Sequence, residues 1–344
     1  MRYALIFVVL ELVFENMFPG AYVKPMMSTL RFIRALTSNS DSETVSKAAS
    51  DTVKAFYDNR QEILCNFNEC CRPDWIKYTW TGLVKDLDDK VFGQHIASGI
   101  VLRAVDEFMS SENTKKPLVL SLHGLVGSGK NFVTQLIAQN IYTEGMKSKF
   151  VHLFSPTFHF PHPDSYLHSY KFQLKKKIEE AITDCQRSMF IFDNVEMMHP
   201  EMIDVIEPYL GYFEKLDGVS TRKAIFIFIS NAGADVIMNA ALEFWKAGRK
   251  QNEINLTHLD GFESSLIERT LVDYFIPFLP KERKHVKQCI RALMKDRGQQ
   301  PDEDVVEKFA NMLVYIPKSE GAFSVNGCKT IEVLLSNYYD KASS

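Results

Sequence analysis

The sequence lacks several features that would assign it to a protein class at once. It has no uninterrupted apolar run of the roughly 18 residues that a membrane-spanning helix needs, and it contains no internal repeat. Its formal net charge is only −3 over 344 residues, so it does not offer the broad basic face that nucleic-acid phosphates require. We therefore expect no nucleic-acid partner and a function that depends on a local site.

Cysteine is also scarce, with six in 344 residues. A chain of this length can bury a large core, so it does not need a disulfide scaffold to fold. The cysteine count alone leaves both the pairing and the redox compartment open. The composition, 46% hydrophobic and 24% charged, is that of a globular protein and excludes a disordered, collagen-like or coiled-coil chain.

The N-terminus bears on the compartment. Residues 1–20 begin with one positive charge at Arg2 and an apolar run over residues 3–10, which Glu11 and Glu15 interrupt. This pattern fits a secretory signal peptide with a short hydrophobic region. The alternative is an amphipathic or buried N-terminal helix. We predict a signal peptide over residues 1–20 and a protein that is soluble or peripherally held in a secretory compartment.

Short apolar runs alternate with helical patterns along the chain. This alternation predicts βαβ units and a largely parallel sheet. After residue 280 the pattern is helical only. We predict an α/β fold with a parallel sheet flanked by helices and a small all-helical domain after it, and we divide the chain into a leader or linker (21–71), a large domain (72–277) and a small domain (278–344). The predicted strands cover 118–122, 150–154, 189–192 and 224–229, and the predicted helices cover 86–109, 131–142, 165–185 and 202–215.

A glycine-rich segment separates the first predicted strand from the helix that follows it and matches the pattern G-x-x-x-x-G-K. Glycines allow the backbone N–H groups of such a loop to point at phosphate oxygens, and the next helix adds its positive end. Lys130 would pair with the β and γ phosphates. Asn131 stands where Ser or Thr usually offers a hydroxyl to Mg²⁺, and its amide oxygen can serve instead. The predicted nucleotide-binding residues are Gly124, Leu125, Val126, Gly127, Ser128, Gly129, Lys130 and Asn131.

The third predicted strand ends in Asp193. A lone aspartate at a strand end is usually a turn or cap residue, but next to a phosphate loop its carboxylate is placed to hold the Mg²⁺ of a bound nucleoside triphosphate. Most ATPases of this architecture have glutamate at the next position, where it activates water. Here that position is Asn194, whose amide cannot accept a proton. Glu196 lies nearby, but two residues along a strand-to-turn segment we expect it to point in a different direction, which makes it a poor candidate for a substitute base.

Two further polar residues lie at the ends of predicted elements. Asn231, after the fourth strand, could orient the attacking water or contact the γ phosphate. The alternative is a helix cap before Ala234. Lys329, at the start of the last helix, would approach the phosphates if the small domain folds over the nucleotide, and would otherwise be a solvated cap residue.

These segments, in this order, resemble the torsins, the AAA+ ATPases of the endoplasmic reticulum lumen and nuclear envelope. The resemblance covers residues 65–340 and includes the G-K-N of the phosphate loop. It is most specific toward the C-terminus. The segments that carry it are residues 124–131, 150–154, 159–162, 190–193, 217–220, 228–233, 273–280 and 327–330.

The resemblance implies a role for each matching position. Residues 124–131 would be the Walker A loop, Asp193 the Walker B magnesium residue, Asn231 sensor 1 and Lys329 sensor 2. Asn194 stands where torsins have the Walker B glutamate, which places rapid hydrolysis in question. ATP and Mg²⁺ are the implied cofactors.

The resemblance also implies a redox-sensitive site and a partner. Cys328, beside Lys329, would pair with Cys289 and make the response to nucleotide depend on redox state. Torsins lack an arginine finger, and a membrane-anchored activator with a luminal AAA-like domain supplies it. Consistent with this, residues 244–250 contain basic residues but no arginine that we can assign as a finger.

The leading hypothesis is an ATPase of the endoplasmic reticulum lumen and nuclear envelope that remodels protein conformation as a chaperone does. We expect weak, activator-dependent hydrolysis, a homo- or hetero-oligomer and a client protein. The alternative is a hydrolysis-deficient ATP-binding module whose nucleotide state controls partner or oligomer assembly. Asn255 begins a glycosylation sequon. A match of only three residues often arises by chance, so this prediction carries little weight.

Overall fold

A computed structural model describes Cys65 and residues 68–262 and 269–342. The predicted signal peptide and nearly all of the predicted leader lie outside these residues. The chain divides into two compact units, Met1–Cys70 and Cys71–Ser344. In the first, a disulfide joins Cys65 to Cys70. No helix in the described ranges is both long enough and apolar enough to cross a membrane.

The second unit contains a five-stranded parallel sheet with the strand order β2-β3-β4-β1-β5. The carboxyl ends of parallel strands meet at one edge of the sheet, which is where ligands bind in open α/β folds. The strands are β1 (Leu118–Gly124), β2 (Val151–Phe154), β3 (Met189–Asp193), β4 (Ile225–Ser230) and β5 (Tyr274–Phe278).

Helices cover both faces of the sheet. The longer ones are amphipathic or carry a short apolar stripe toward the strands. They are α1 (Trp80–Lys90), α2 (His95–Ser110), α3 (Lys130–Ile141), α4 (Pro156–His159), α5 (Pro163–Asp184), α6 (Pro200–Ile206) and α7 (Ala234–Lys246). Short 3₁₀ turns cover Gly145–Lys147, Val195–Met197, Glu207–Leu210, Gln251–Glu253, Leu256–His258 and Arg269–Leu271.

The alternation of residues in β4 explains how both faces are packed. Ile225, Ile227 and Ile229 face α1, α2 and α3, whereas Phe226 and Phe228 face α5 and α6. A strand with apolar residues on both sides belongs in the middle of a parallel sheet. On the second face the aromatic rings stack from strand to strand. The centroid of Phe228 lies 5.2 Å from that of Phe192 in β3.

The C-terminal region is helical, as predicted. It consists of α8 (Arg283–Asp296), α9 (Glu303–Met312) and α10 (Ile331–Ala342), which share one apolar core. It also contains a short antiparallel pair that we did not predict, β6 (Tyr315–Ile316) with β7 (Phe323–Ser324). Each of these strands has only two residues, too few for an alternating pattern to be recognised.

Besides this strand pair, three sequence-based expectations differ from the structure. The helix expected over residues 86–109 is two helices, α1 and α2, because the chain turns at Gly93, where φ is 69°. The helix expected over 202–215 ends as α-helix at Ile206 and continues only as a 3₁₀ turn to Leu210. The strand β5 was missed because Pro277 interrupts its pattern. A proline is tolerated there because β5 lies at an edge of the sheet.

Candidate functional site

The predicted phosphate loop connects the end of β1 to the start of α3. Gly127 and Gly129 have φ of 74° and 119°, in the left-handed region that residues with a side chain rarely adopt. Gly129 immediately precedes the first residue of α3, so the loop leads directly into a helix N-terminus, where backbone N–H groups attract anions. Within the described residues, the buried hydroxyl of Ser128 in this loop has no hydrogen-bond partner.

Lys130 is the first residue of α3, and its ammonium group is buried in the site. The Nζ atom donates hydrogen bonds to the carbonyl oxygens of Gly124 (2.6 Å) and Leu125 (2.9 Å) and to Oδ1 of Asn231 (3.1 Å). Burial lowers the pKa of Lys130 to about 8, against the opposing influence of the carboxylates of Glu196 and Asp193. The group is therefore still mainly cationic at neutral pH, as contact with phosphate requires.

Asp193 and Asn131 lie together beside the loop. Nδ2 of Asn131 is 3.0 Å from Oδ2 of Asp193. A carboxylate and an amide oxygen are hard ligands of the kind that Mg²⁺ prefers, and Mg²⁺ usually completes its coordination with phosphate oxygens and water. These two side chains thus fit a magnesium ion bound together with a nucleotide. Among the described residues, no group of three or more His, Cys, Asp or Glu could hold a metal ion by itself.

Asn231 lies at the carboxyl end of β4 and connects two parts of the site. Its Oδ1 accepts from Lys130, while its Nδ2 donates to Oε1 of Glu196 at 2.8 Å. Ser230 Oγ donates to the other carboxylate oxygen, Oε2, at 3.0 Å. The Asn231 side chain therefore does not cap α7, whose first turn follows Gly233. Our expectation that Glu196 points away from this region was wrong.

The direction of Glu196 follows from the backbone of its neighbours. Asn194 is in the left-handed conformation, with φ 56° and ψ 50°, which asparagine adopts more readily than most residues with a side chain. The 3₁₀ turn Val195–Met197 begins directly after it. The turn of the chain at Asn194 directs the side chain of Glu196 to the tip of β4. If the segment were extended like a strand, as we assumed from the sequence, this direction would not be expected.

Backbone atoms of the C-terminal region lie directly against backbone atoms of the phosphate loop. A Cβ atom placed on Gly327 would lie 2.0 Å from the carbonyl oxygen of Gly127, and one placed on Gly127 would lie 1.9 Å from that of Asn326. Lys329 follows two residues later and is exposed. A disulfide joins Cys328 to Cys289 of α8. The segment that precedes α10 is thus held against the loop, and Lys329 is close in sequence to that contact.

Two buried residues support the site and were missed in the sequence. Gln94 donates to the carbonyl oxygens of Ser128 (3.0 Å) and Leu279 (2.7 Å) and accepts from the N–H of Leu279 (2.8 Å). His123 in β1 lies with Nδ1 3.1 Å from the carbonyl oxygen of Ala232. No local pattern marks either residue, because their partners lie up to 185 positions away.

Two peripheral predictions fall on exposed segments. Asn255 is exposed at the start of a 3₁₀ turn, where its Oδ1 accepts from the N–H of Thr257 at 3.1 Å. The guanidinium of Arg249 lies 3.9 Å from the centroid of the Phe244 ring, and its Nε is 3.1 Å from Oε2 of Glu253. Arg249 is therefore engaged within its own chain.

Comparison with known proteins finds two family models. The torsin family model matches residues 65–192, and a model of the Torsin-1A C-terminal domain matches residues 281–339. Mouse (Mus musculus) Torsin-3A is 39% identical over an alignment of 286 residues, and the match covers 78% of this chain and 74% of that protein.

Solved structures of Hsp104 from S. cerevisiae share the fold. The Hsp104–ADP complex matches with a TM-score of 0.57 and 17% identity over 77% of this chain and 47% of that chain. The Hsp104–casein complex in its extended conformation matches with a TM-score of 0.54 and 17% identity, over 75% of this chain and 46% of that chain. This chain therefore spans about half the length of the Hsp104 chains, and the likeness concerns the fold alone.

Proposed function

Because the chain belongs to the torsin family of AAA+ proteins, we propose that residues 124–131 bind ATP together with Mg²⁺ and that the protein hydrolyses it. Nucleotide binding and ATPase activity are general properties of this class. The observation that best supports the proposal is the position of Lys130, whose buried ammonium lies between the loop and Asn231 at the tip of β4.

Each predicted site residue then has a task. The N–H groups of the loop and the N-terminus of α3 receive the phosphates, and Lys130 pairs with the β and γ phosphates. Asp193 and Asn131 hold Mg²⁺, which shields the phosphate charge when it is bound. Asn231 orients the γ phosphate or the attacking water, and Lys329 approaches the phosphates from the C-terminal region.

We further propose that the protein acts in the endoplasmic reticulum lumen, including the nuclear envelope. All six cysteines are joined in disulfides, Cys65–Cys70, Cys71–Cys185 and Cys289–Cys328. Disulfides persist in oxidising compartments and are rare in the cytosol, which supports this location independently of the family. The function proposed there is chaperone-like remodelling of a client protein.

An activating partner is the second part of the proposal. AAA+ homologues form oligomers, and we propose a homo- or hetero-oligomer in which a membrane-anchored activator supplies an arginine through its luminal AAA-like domain. The engagement of Arg249 with Phe244 and Glu253 supports this, because breaking both contacts would be needed to free that guanidinium for a neighbouring site.

The test measures ATP binding and hydrolysis separately. The full chain should bind Mg·ATP, and Lys130→Met should weaken binding about 10- to 150-fold, as expected for loss of a charged hydrogen bond of about 1.5–3 kcal/mol. Lys147→Met, outside the site, is the matched control. Single-turnover phosphate release should rise when the luminal domain of the activator is added, and a variant of that domain without its arginine should fail to stimulate. Unchanged binding by Lys130→Met would refute the assigned site, and absence of stimulated release would refute the enzymatic proposal.

A second candidate function rests on Asn194. If no other residue accepts the proton of the attacking water, the protein is an ATP-binding module whose nucleotide state controls assembly. In that case Asn194→Glu should raise turnover sharply and shorten the residence time of the activator on the protein. An Asn194→Glu variant with unchanged turnover and unchanged residence time would eliminate this candidate.

A further inference from the structure

The position that normally carries the base in this architecture cannot perform that role here. The side chain of Asn194 is an amide, which has no basic lone pair for a proton at neutral pH. Its backbone, however, is left-handed and leads into the turn Val195–Met197. The next carboxylate along the chain, that of Glu196, is consequently directed to the tip of β4.

The Glu196 carboxylate is held by two donors. Asn231 Nδ2 binds Oε1 at 2.8 Å, and Ser230 Oγ binds Oε2 at 3.0 Å. Both donors belong to the end of a central strand, so the carboxylate has a fixed orientation. Each of its oxygens retains a further lone pair, and either can accept a hydrogen bond from a water molecule.

A continuous chain of contacts connects this carboxylate to the phosphate loop. Lys130 Nζ donates to Oδ1 of Asn231, and Nδ2 of the same amide donates to Glu196. The carboxylate is thus one side chain removed from the ammonium that we assign to the β and γ phosphates. The charged or titratable groups that act electrostatically within this cluster are Lys130, Asp193 and the buried His123, besides Glu196 itself.

We propose that Glu196 replaces the residue at position 194 as the general base of ATP hydrolysis. The inference rests on the proposed ATPase function. The oxygen of a water molecule forms a bond to the γ phosphorus, and its proton moves to the Glu196 carboxylate. The bond between the γ phosphorus and the oxygen that bridges to the β phosphate breaks, and its electron pair remains on ADP. The carboxyl group then returns the proton to solvent or to the released phosphate.

A purely structural role for Glu196 is the competing explanation. The carboxylate could merely hold Asn231 in place, and its replacement would then disturb the γ-phosphate contact and weaken ATP binding. A base has a different signature. Its removal lowers the rate of the chemical step without lowering the affinity for ATP, and it removes the acid limb of the pH–rate profile, because that limb reports protonation of the base.

The experiment compares Glu196→Gln with wild type in single-turnover hydrolysis by the full chain with the activator's luminal domain. Glutamine keeps the shape of the side chain and one oxygen acceptor. We expect ATP affinity within about threefold of wild type, a rate lowered about 10²- to 10⁴-fold and loss of the acid limb. Glu201→Gln is the matched control, since Glu201 is an exposed carboxylate that binds Lys171 outside the site, and it should behave as wild type.

A second variant makes the test independent of Glu196→Gln folding correctly. Ser230→Ala removes one of the two donors that orient the carboxylate, so the rate of the chemical step should fall while the affinity for ATP stays near the wild-type value. The inference is overturned if Glu196→Gln retains the wild-type rate or profile, if its rate and ATP affinity fall in parallel, or if Ser230→Ala retains the wild-type rate. Wild type that binds ATP but shows no activator-stimulated release overturns the ATPase proposal and this inference together. An active wild type with an unaffected Glu196→Gln variant overturns the inference alone.

Discussion

Replacement of Gly327 by alanine tests whether the contact between the C-terminal region and the phosphate loop controls nucleotide binding. Gly327 has φ 52°, and a Cβ atom there would lie 2.0 Å from the carbonyl oxygen of Gly127. Real Cβ atoms essentially never come closer than 3.0 Å to such a neighbour, so the two segments must separate by at least about 1 Å (3.0 − 2.0). Both contacting groups are backbone, which cannot move aside as a flexible side chain can.

The matched control is Gly321→Ala. Gly321 has φ 60°, almost the same left-handed conformation, but nothing lies within 4 Å of the position of its Cβ. Both substitutions therefore carry the cost of a left-handed alanine, about 1–2 kcal/mol. Only Gly327→Ala adds the cost of overpacking, about 1–3 kcal/mol. The difference between the two variants isolates the contact with the loop.

The measurements are urea unfolding of both variants and their affinity for Mg·ATP. Gly327→Ala should be less stable than Gly321→Ala by about 1–3 kcal/mol. If that cost is relieved by separation of the C-terminal region from the loop, ATP affinity should fall by about 5- to 150-fold relative to Gly321→Ala. Equal stability and equal ATP affinity in the two variants would refute the reasoning.

Two further predictions follow from the disulfides and from a buried lysine. The sequence separations of 114 for Cys71–Cys185, 39 for Cys289–Cys328 and 5 for Cys65–Cys70 predict losses of about 5, 4 and 2 kcal/mol when each pair is replaced by serine, by the loop-entropy relation. The urea midpoint should therefore be lowest for the variant without Cys71–Cys185 and highest for the variant without Cys65–Cys70, and the reverse order would contradict this prediction. Burial lowers the pKa of Lys281 to about 7, so the unfolded chain binds more protons than the native state between pH 7 and the normal lysine pKa of about 10.4, and stability should rise with pH across this window. Lys281→Met should flatten that rise, whereas the exposed Lys284→Met should not, and parallel profiles for Lys281→Met and wild type would disprove the assignment.

The sequence was sufficient for the features that depend on local pattern. The four predicted strands are present as β1 to β4, and the predicted parallel sheet with a helical C-terminal region is confirmed. The short continuous apolar run of β4 and the glycines before α3 identify these elements without knowledge of any distant residue. The missed strand β5 shows the limit of this approach, because the suitability of Pro277 for a strand depends on that strand being at the edge of the sheet.

The geometry of the site could not be predicted from the sequence, because it depends on contacts between residues that are far apart in the chain. Asp193 and Asn131 are separated by 62 positions yet form a hydrogen bond, and Gln94 binds the loop and Leu279 at once. The separation of these residues along the chain does not indicate that they are in contact. The error at Glu196 has the same origin, because its direction depends on a single left-handed residue, Asn194, that precedes a 3₁₀ turn.

The proposed site residues separate nucleotide binding from the chemistry of hydrolysis. Most groups assigned to binding belong to one continuous segment, the phosphate loop and the start of α3, and Asp193 and Lys329 complete the set. The groups assigned to the water lie at the ends of the neighbouring strands β3 and β4, and their side chains are joined by the Asn231–Glu196 and Ser230–Glu196 hydrogen bonds. A change at position 194 therefore leaves the loop intact and alters only the group that can accept a proton. Asparagine suits the left-handed backbone at position 194, where a bulkier acidic side chain would cost about 1–2 kcal/mol. Asn194 therefore removes the usual base and at the same time stabilises the turn that directs Glu196 to the site.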